Sequence, residues 1–216
     1  MPDFTIVLAN KNYSSWSLRP WLALKRTGAA FDEVVIFLDQ PDTKKKIAEH
    51  TPSGKVPVLK HKERQIWDSL AIVEYLHELF PKAGLWPEDA AARAHARAVS
   101  AEMHSGFQNL RGNMPMNMRR DAAGKGRAPG VEDDIQRIAQ LWEDCRSRFG
   151  KGGDFLFGHF TNADAMYAPV VSRFRTYGVK LPKSAQTYAD AVAAMPEFRE
   201  WAAAGKNEPP IPKYEI

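Results

Sequence analysis

Apolar positions divide the first 80 residues into short elements of two kinds. The β-branched apolar run at 4–9 predicts a buried strand, and the run at 32–38 predicts a second strand. Between them, we expect a helix that begins near Ser15 or Ser17 and stops at Gly28. Its apolar side chains recur at helical spacing: Leu18, Trp21, Leu22 and Leu24. The order strand, helix, strand predicts a parallel βαβ unit.

A second group of elements follows this unit. The apolar runs at 56–60 and 65–67, separated by a polar turn, predict an antiparallel hairpin at the edge of the sheet. Asp68 and Ser69 then predict a helix N-terminus, and the apolar face of that helix ends before Pro81. The first part of the chain therefore predicts βαβ followed by ββα.

After this point the pattern predicts helices only. An alanine-rich helical stretch runs over 90–118, with a kink near Pro115. Further helices are expected at 131–149, 161–177, 185–194 and 197–203, before an extended proline-rich tail. We therefore expect an α/β domain at residues 1–81 and an all-α domain at residues 90–216, joined by a short linker.

Composition and charge are those of an ordinary globular chain. Of 216 residues, 44% are apolar and 26% are charged, a balance that can bury a core. Thirty basic and 26 acidic residues give a net charge of +4. The triplet at 44–46 and the looser cluster of Arg119, Arg120, Lys125 and Arg127 indicate solvated charge, so no nucleic-acid partner is expected. The positive excess still favours small anionic molecules.

Residue counts also bear on covalent and metal chemistry. Cys145 is the only cysteine, so no intrachain disulfide can form, and its helix position predicts a buried side chain. The six histidines show no zinc-like spacing, and no metal is expected. No apolar run approaches the ~20 residues that cross a bilayer, and the N-terminus lacks a secretion-signal pattern. We therefore expect a cytoplasmic protein without a membrane partner.

The dipeptide Val56-Pro57 stands before the predicted edge strand. A cis proline there would leave the N–H and C=O of Val56 outside the sheet, where a peptide-like ligand can bond both groups. A trans proline at a strand start is the alternative, since only about 5–6% of X–Pro bonds are cis. The position within the βαβ–ββα pattern favours the cis bond.

Two further pairs of polar residues stand at predicted helix N-termini. At Asp68 and Ser69, free N–H groups and the Ser69 hydroxyl suit a carboxylate, and the Asp68 carboxylate suits an ammonium group. A ligand end that carries both groups on one carbon fits this arrangement. At Ser14 and Ser15, a hydroxyl can donate a hydrogen bond to a bound thiolate and lower its pKa. Each pair alone is more simply explained as a helix cap.

Taken in order, these three features resemble the N-terminal thioredoxin-like domain of the cytosolic glutathione transferases. The matching segments are Ser14-Ser15, 53–59 and 68–76. The capping-box pattern at 161–164 resembles the one in the all-helical C-terminal domain of that family. The resemblance covers nearly the whole chain. It implies the glutathione transferase fold, glutathione as co-substrate and a homodimer.

The resemblance also implies a role for each residue of the glutathione motif. Lys55 approaches the glycine carboxylate of glutathione. The main chain of Val56, held before Pro57, pairs with the cysteinyl backbone. Asp68 and Ser69 hold the γ-glutamyl end.

The residue that activates the thiol is implied to be Ser14 or Ser15. The segment 14–19 resembles the zeta-class pattern, in which the first serine is catalytic, and this favours Ser14. Theta-like spacing to the following arginine favours Ser15 instead. Zeta enzymes carry a cysteine where this chain has Trp16, which argues against isomerisation of maleylacetoacetate. The absence of cysteine from this domain also argues against an omega-type disulfide reductase.

The electrophile is expected between the two domains. One stripe of the predicted helix at 90–118 carries Met103, Phe107, Arg111, Met114 and Met118. Methionine adapts to irregular apolar ligands, although core packing explains the stripe equally well. The predicted pocket residues are Tyr13, Trp16, His104, Phe107, Arg111 and Met114.

These features predict an enzyme that binds glutathione, lowers its thiol pKa and adds the thiolate to a small apolar electrophile. No metal or redox cofactor is needed. Two alternatives stay open. One is a zeta-like cis–trans isomerase that recycles glutathione, and the other is a non-catalytic binding or interaction protein on the same fold.

Overall fold

The computed structural model describes residues 2–215. The first elements are β1 (Phe4–Ala9), α1 (Ser15–Arg26), β2 (Phe31–Ile36), α2 (Thr43–Ala48), β3 (Val58–His61), β4 (Arg64–Trp67) and α3 (Ser69–Leu79). The strand order is β2-β1-β3-β4, with β1 parallel to β2 and antiparallel to β3. The predicted βαβ–ββα arrangement is therefore confirmed.

The two faces of this sheet are covered by different helices. Side chains alternate along a strand, so Ile6 and Leu8 of β1 join the large core beneath α1 and α3. Val7 points to the other face and packs with Ile36 and Ile47 in a smaller core against α2. Because β1 and β3 are antiparallel, with Val7 opposite Val58, the loop after β1 and the segment before β3 lie at the same end of the sheet.

The rest of the chain is helical. Its elements are α4 (Ala90–Ser105), α5 (Gln108–Asn113), α6 (Val131–Phe149), α7 (Asn162–Thr176), α8 (Lys183–Ala194) and α9 (Pro196–Lys206), with 3-10 turns at Pro81–Ala83 and Pro212–Tyr214. Nearly all of α7 is buried, and it packs against α1, α4 and α8. No helix within residues 2–215 is both long and apolar enough to cross a bilayer.

The predicted capping box opens α7. The Asp164 carboxylate accepts the backbone N–H of Thr161 at 2.7 Å and that of Leu156 at 3.1 Å. Complete burial nevertheless raises the pKa of Asp164 to about 6, because the charged form loses its hydration. This box anchors the central helix of the C-terminal half.

The prediction of one helical stretch over 90–118, kinked near Pro115, was wrong. The helix ends at Ser105, Phe107 adopts a left-handed backbone with φ of 59°, and α5 ends at Asn113. A Cβ at Gly106 would lie 2.7 Å from the Glu102 carbonyl oxygen, so only glycine fits this break. The stripe from Met103 to Met118 therefore does not share one helix face.

Candidate functional site

A cavity of about 690 Å³ opens where the loop after β1, the segment before β3 and the N-terminus of α3 meet. All five residues predicted to hold glutathione line it: Lys55, Val56, Pro57, Asp68 and Ser69. Ser14 and Trp16 line it too. The fold thus brings together three motifs that are separated along the chain.

Ser14 is the N-cap residue of α1. Its Oγ accepts the backbone N–H of Ser17 at 3.3 Å and donates to the Ser17 Oγ at 2.8 Å. The Ser17 Oγ in turn accepts the N–H of Ala9 at 3.0 Å, which ties the hydroxyl pair to the end of β1. The Oγ of Ser15 instead lies 3.5 Å from a guanidinium nitrogen of Arg173, and Ser15 does not line the cavity.

The segment before β3 presents main-chain groups to the cavity. The bond between Val56 and Pro57 is cis, as the sequence pattern predicted. Pairing with β4 begins only at Val58, opposite Trp67, so the N–H and C=O of Val56 lie outside the sheet ladder. Lys55 is exposed beside them.

The N-terminus of α3 forms the opposite wall. Asp68 adopts a positive φ of 72° and caps the helix, because its Oδ1 accepts the N–H groups of Leu70 at 2.8 Å and Ala71 at 3.3 Å. Its Oδ2 faces the Nε2 of His104 at 3.3 Å. The Oγ of Ser69 is buried and has no hydrogen-bond partner in the described part of the chain. Such an orphaned hydroxyl at a helix N-terminus suits an anionic ligand.

Trp16 lines the cavity and contacts residues of the helical half of the chain. The guanidinium of Arg19 lies 4.6 Å from its ring centre and that of Arg111 lies 4.9 Å away. The ring of His104 meets the indole edge-on at 5.2 Å. Burial lowers the pKa of His104, and the neighbouring Asp68 opposes this shift. His104 and Arg111 therefore lie beside Trp16, although neither of them lines the cavity.

Three arginines form a cationic cluster next to the serines. Arg19 is wholly buried, and none of its guanidinium nitrogens meets an acceptor among residues 2–215. Burial, then the charges of Arg111 and Arg173, lower the pKa of Arg19 well below its usual value. Burial and the charge of Arg111 also lower the pKa of Arg173 to about 10. Arg111 and Arg173 donate to main-chain carbonyl groups, so Arg19 is the one guanidinium of the three that is buried without any acceptor, and none of the three lines the cavity. A buried cation without a partner is costly, so an anion near Arg19 would be favoured.

The remaining predicted pocket residues lie elsewhere. The Tyr13 hydroxyl contacts Glu215 of the C-terminal tail and accepts a hydrogen bond from Arg119 in the loop before α6. Phe107 and Met114 are buried in the large hydrophobic core.

Sequence reasoning missed Arg19 and Arg173 as site residues. The available signal was an arginine inside the apolar pattern of a buried helix, as at Arg173 between Val171 and Phe174. Among the described residues, no group of three His, Cys, Asp or Glu side chains could hold a metal ion.

Comparisons with known proteins agree with this geometry. Residues 13–79 match the family model for the glutathione S-transferase N-terminal domain, and residues 128–204 match that for the C-terminal domain. A probable maleylacetoacetate isomerase of Caenorhabditis elegans is 41% identical over 96 residues, 44% of each chain. Glutathione S-transferase L3 of Arabidopsis thaliana is 28% identical over 150 residues, 69% of this chain and 56% of that protein. These alignments thus span about half the length of both relatives.

The solved structures give the same fold. A maleylacetoacetate isomerase from Anaeromyxobacter dehalogenans, with glutathione in its active site, superposes with a TM-score of 0.67 at 25% identity. The match covers 97% of this chain and 100% of that one. The fold is a thioredoxin-like N-terminal domain followed by a helical C-terminal domain. Since both domain models match in order and cover most of the sequence, the chain belongs to the glutathione S-transferase family.

Proposed function

We propose that this protein binds glutathione in the cavity at Ser14 and uses its thiolate to attack an electrophile held beside Trp16. The main support is that Ser14, the unpaired main chain of Val56 and the orphaned Ser69 hydroxyl line one cavity. A hydroxyl donor, a strand-like edge and an anion site are what a thiol tripeptide needs. Solved relatives with bound glutathione support the choice of ligand.

Each residue then has a role in the proposal. Lys55 pairs with the glycine carboxylate, and Val56 pairs with the cysteinyl backbone. Ser69 and the α3 N-terminus hold the γ-glutamyl carboxylate, while the outward oxygen of Asp68 receives the ammonium group. When glutathione binds, the Ser14 hydroxyl hydrogen turns from the Ser17 Oγ to the sulfur, and the Ser17 hydroxyl donates to the Ser14 Oγ in its place. The hydrogen bond from Ser14 then stabilises the thiolate.

The chemical outcome is conjugation when the electrophile keeps the new sulfur–carbon bond. We propose that residues 1–81 hold glutathione and that residues 90–216 supply the electrophile wall. Family membership supports a cytoplasmic homodimer. The electrophile need not be purely apolar, because Arg111 and the arginines behind it make this wall cationic.

That cationic wall favours a second candidate, glutathione-dependent cis–trans isomerisation of an unsaturated carboxylate. The thiolate adds to one carbon of a conjugated double bond, the resulting single bond rotates, and the sulfur leaves, so that glutathione is returned unchanged. The summed positive charge of Arg19, Arg111 and Arg173 favours a carboxylated substrate, although Nε and Nη2 of Arg111 already donate to main-chain carbonyls. Two relatives named maleylacetoacetate isomerases support this candidate.

Two assays test the proposal and separate its branches. Conjugation of 1-chloro-2,4-dinitrobenzene and isomerisation of maleylacetoacetate are measured with purified protein and glutathione. Turnover in the first assay alone supports conjugation, and turnover in the second supports isomerisation. Glutathione binding without turnover of either substrate, or of a wider electrophile panel, would favour the non-catalytic alternative. Ser69→Ala is expected to weaken glutathione binding on the order of tenfold, since one charge-assisted hydrogen bond is lost. Unchanged affinity in a folded variant contradicts the site.

A further inference from the structure

A second cavity, of about 680 Å³, lies in the helical half between α7, α8 and α9. It shares no lining residue with the cavity at Ser14. Four cationic side chains line it: Arg120, Arg175, Arg199 and Lys206. Its one acidic lining residue is Asp190. The groove therefore carries a net charge of +3, from four cations and one acid, in a chain whose total net charge is +4.

These cations lack the carboxylate partners that neighbouring cations have. Arg119 pairs with Glu215 at 2.7 Å, and Arg127 pairs with Glu132 at 2.7 Å. Within residues 2–215, none of the four groove cations forms an ion pair. One terminal nitrogen of Arg120 is buried and has no hydrogen-bond acceptor in the same part of the chain. A buried guanidinium donor left unsatisfied points to an occupant that supplies acceptors.

The rest of the lining adds no carboxylate that is free to pair with these cations. The Asp190 carboxylate already accepts the side-chain amide of Gln186 at 2.9 Å. Ser172 on α7 is a buried lining residue whose hydroxyl can donate, whereas the Thr176 hydroxyl already donates to the Asn117 carbonyl at 2.8 Å. The groove thus presents hydrogen-bond donors and positive charge from α7, from α9 and from the non-helical segment at Arg120.

Helix dipoles explain only half of this charge. Arg175 and Lys206 lie in the last turns of α7 and α9, where cations are favoured. Arg199 lies in the first turn of α9, where a cation is disfavoured, and Arg120 lies outside any helix. The helix dipoles therefore do not account for Arg199 and Arg120.

We propose that this groove is a binding site for a small multivalent oxyanion, a molecule that carries two or more phosphate or carboxylate groups. Planar guanidinium groups recognise both kinds of oxyanion through paired N–H donors. The site is separate from the proposed glutathione site and does not depend on its activity.

The test titrates the full chain with inorganic pyrophosphate and, separately, with citrate, by calorimetry at low ionic strength. Low salt is needed because charges at a surface are screened within a Debye length of about 10 Å at 0.1 M. We expect saturable binding of at least one probe to one site per chain. The probe that binds more tightly shows whether the site prefers phosphate or carboxylate groups.

Two variants and a matched control locate the site. Arg199→Gln and Arg120→Gln are each expected to weaken binding on the order of tenfold, a loss of about 1.4 kcal/mol. Lys44→Gln removes the same charge from exposed α2 and should leave the affinity unchanged. Arg199 is exposed, so its replacement can be tested even if Arg120→Gln does not fold. Equal losses in Lys44→Gln, unchanged affinity in Arg199→Gln, or no binding of either probe overturns the proposal.

Discussion

Replacing Ser14 by alanine tests which hydroxyl activates the thiol. A hydrogen bond to a charged acceptor contributes about 1.5–3 kcal/mol. Its loss should therefore raise the pKa of the bound glutathione thiol by about one to two units. Ser14 also caps α1 through a long 3.3 Å bond to the Ser17 N–H, so the free energy of unfolding should fall by about 1 kcal/mol. At a pH below the thiol pKa, kcat/KM should fall on the order of 10- to 100-fold in parallel with the thiolate fraction.

The assay follows the ultraviolet absorbance of the bound thiolate as pH is raised, with urea denaturation as the stability control. Ser15→Ala is the matched variant, because the Ser15 Oγ makes only a 3.5 Å contact with Arg173 and lies off the cavity. It should leave the thiol pKa within a few tenths of the parent value. A raised thiol pKa in Ser15→Ala, with none in Ser14→Ala, would reverse the assignment. No change in either variant would refute activation by a serine hydroxyl.

Three further outcomes are expected. Arg111→Gln should raise KM for a carboxylated electrophile on the order of tenfold, but not for neutral 1-chloro-2,4-dinitrobenzene, because the lost interaction is with charge. Steady-state kinetics with both substrates measures the difference. Folded Asp164 holds its proton up to pH about 6, against 3.8 for the ordinary carboxyl, so its contribution to stability is full below pH 3.8 and lost as pH rises through 6. The loss is about 3 kcal/mol, and urea denaturation of Asp164→Asn should lack this part of the pH dependence. Glu208→Gln should lower kcat more than glutathione affinity, since this carboxylate accepts the N–H groups of Lys11 at 2.7 Å and Asn12 at 3.0 Å. Equal changes in kcat and affinity would contradict a positioning role.

The elements of the first 80 residues were predictable because their signals are local. β-Branched runs, a glycine after α1 and the Asp68 cap each report on neighbouring backbone. The break at Gly106 was missed because the alanine-rich sequence that precedes it favours a continuous helix. The clash with the Glu102 carbonyl that requires glycine there depends on atomic positions, which periodicity does not report.

The cationic wall was not predictable for a different reason. Arg19 and Arg173 occupy helices whose pattern is otherwise that of a buried core, and arginine is rarely buried without a partner. Their meeting requires α1 and α7 to pack together, a contact across the two halves of the chain. Sequence spacing gives the apolar face of each helix but not which faces meet. The predicted electrophile pocket therefore included Arg111 but neither Arg19 nor Arg173.

The loop that carries Ser14 is held by residues from the far end of the chain, and this bears on how the site works. Glu208 accepts two of its N–H groups, and the Trp201 indole donates to the Lys11 carbonyl at 2.7 Å. From the other side, Ser17 binds the Ala9 N–H. A hydroxyl that stabilises a thiolate must be in place before the charge forms, since reorientation during the reaction would cost part of the stabilisation. The C-terminal segment is thus part of the proposed site, although it touches neither glutathione motif and lies about 190 residues away in sequence.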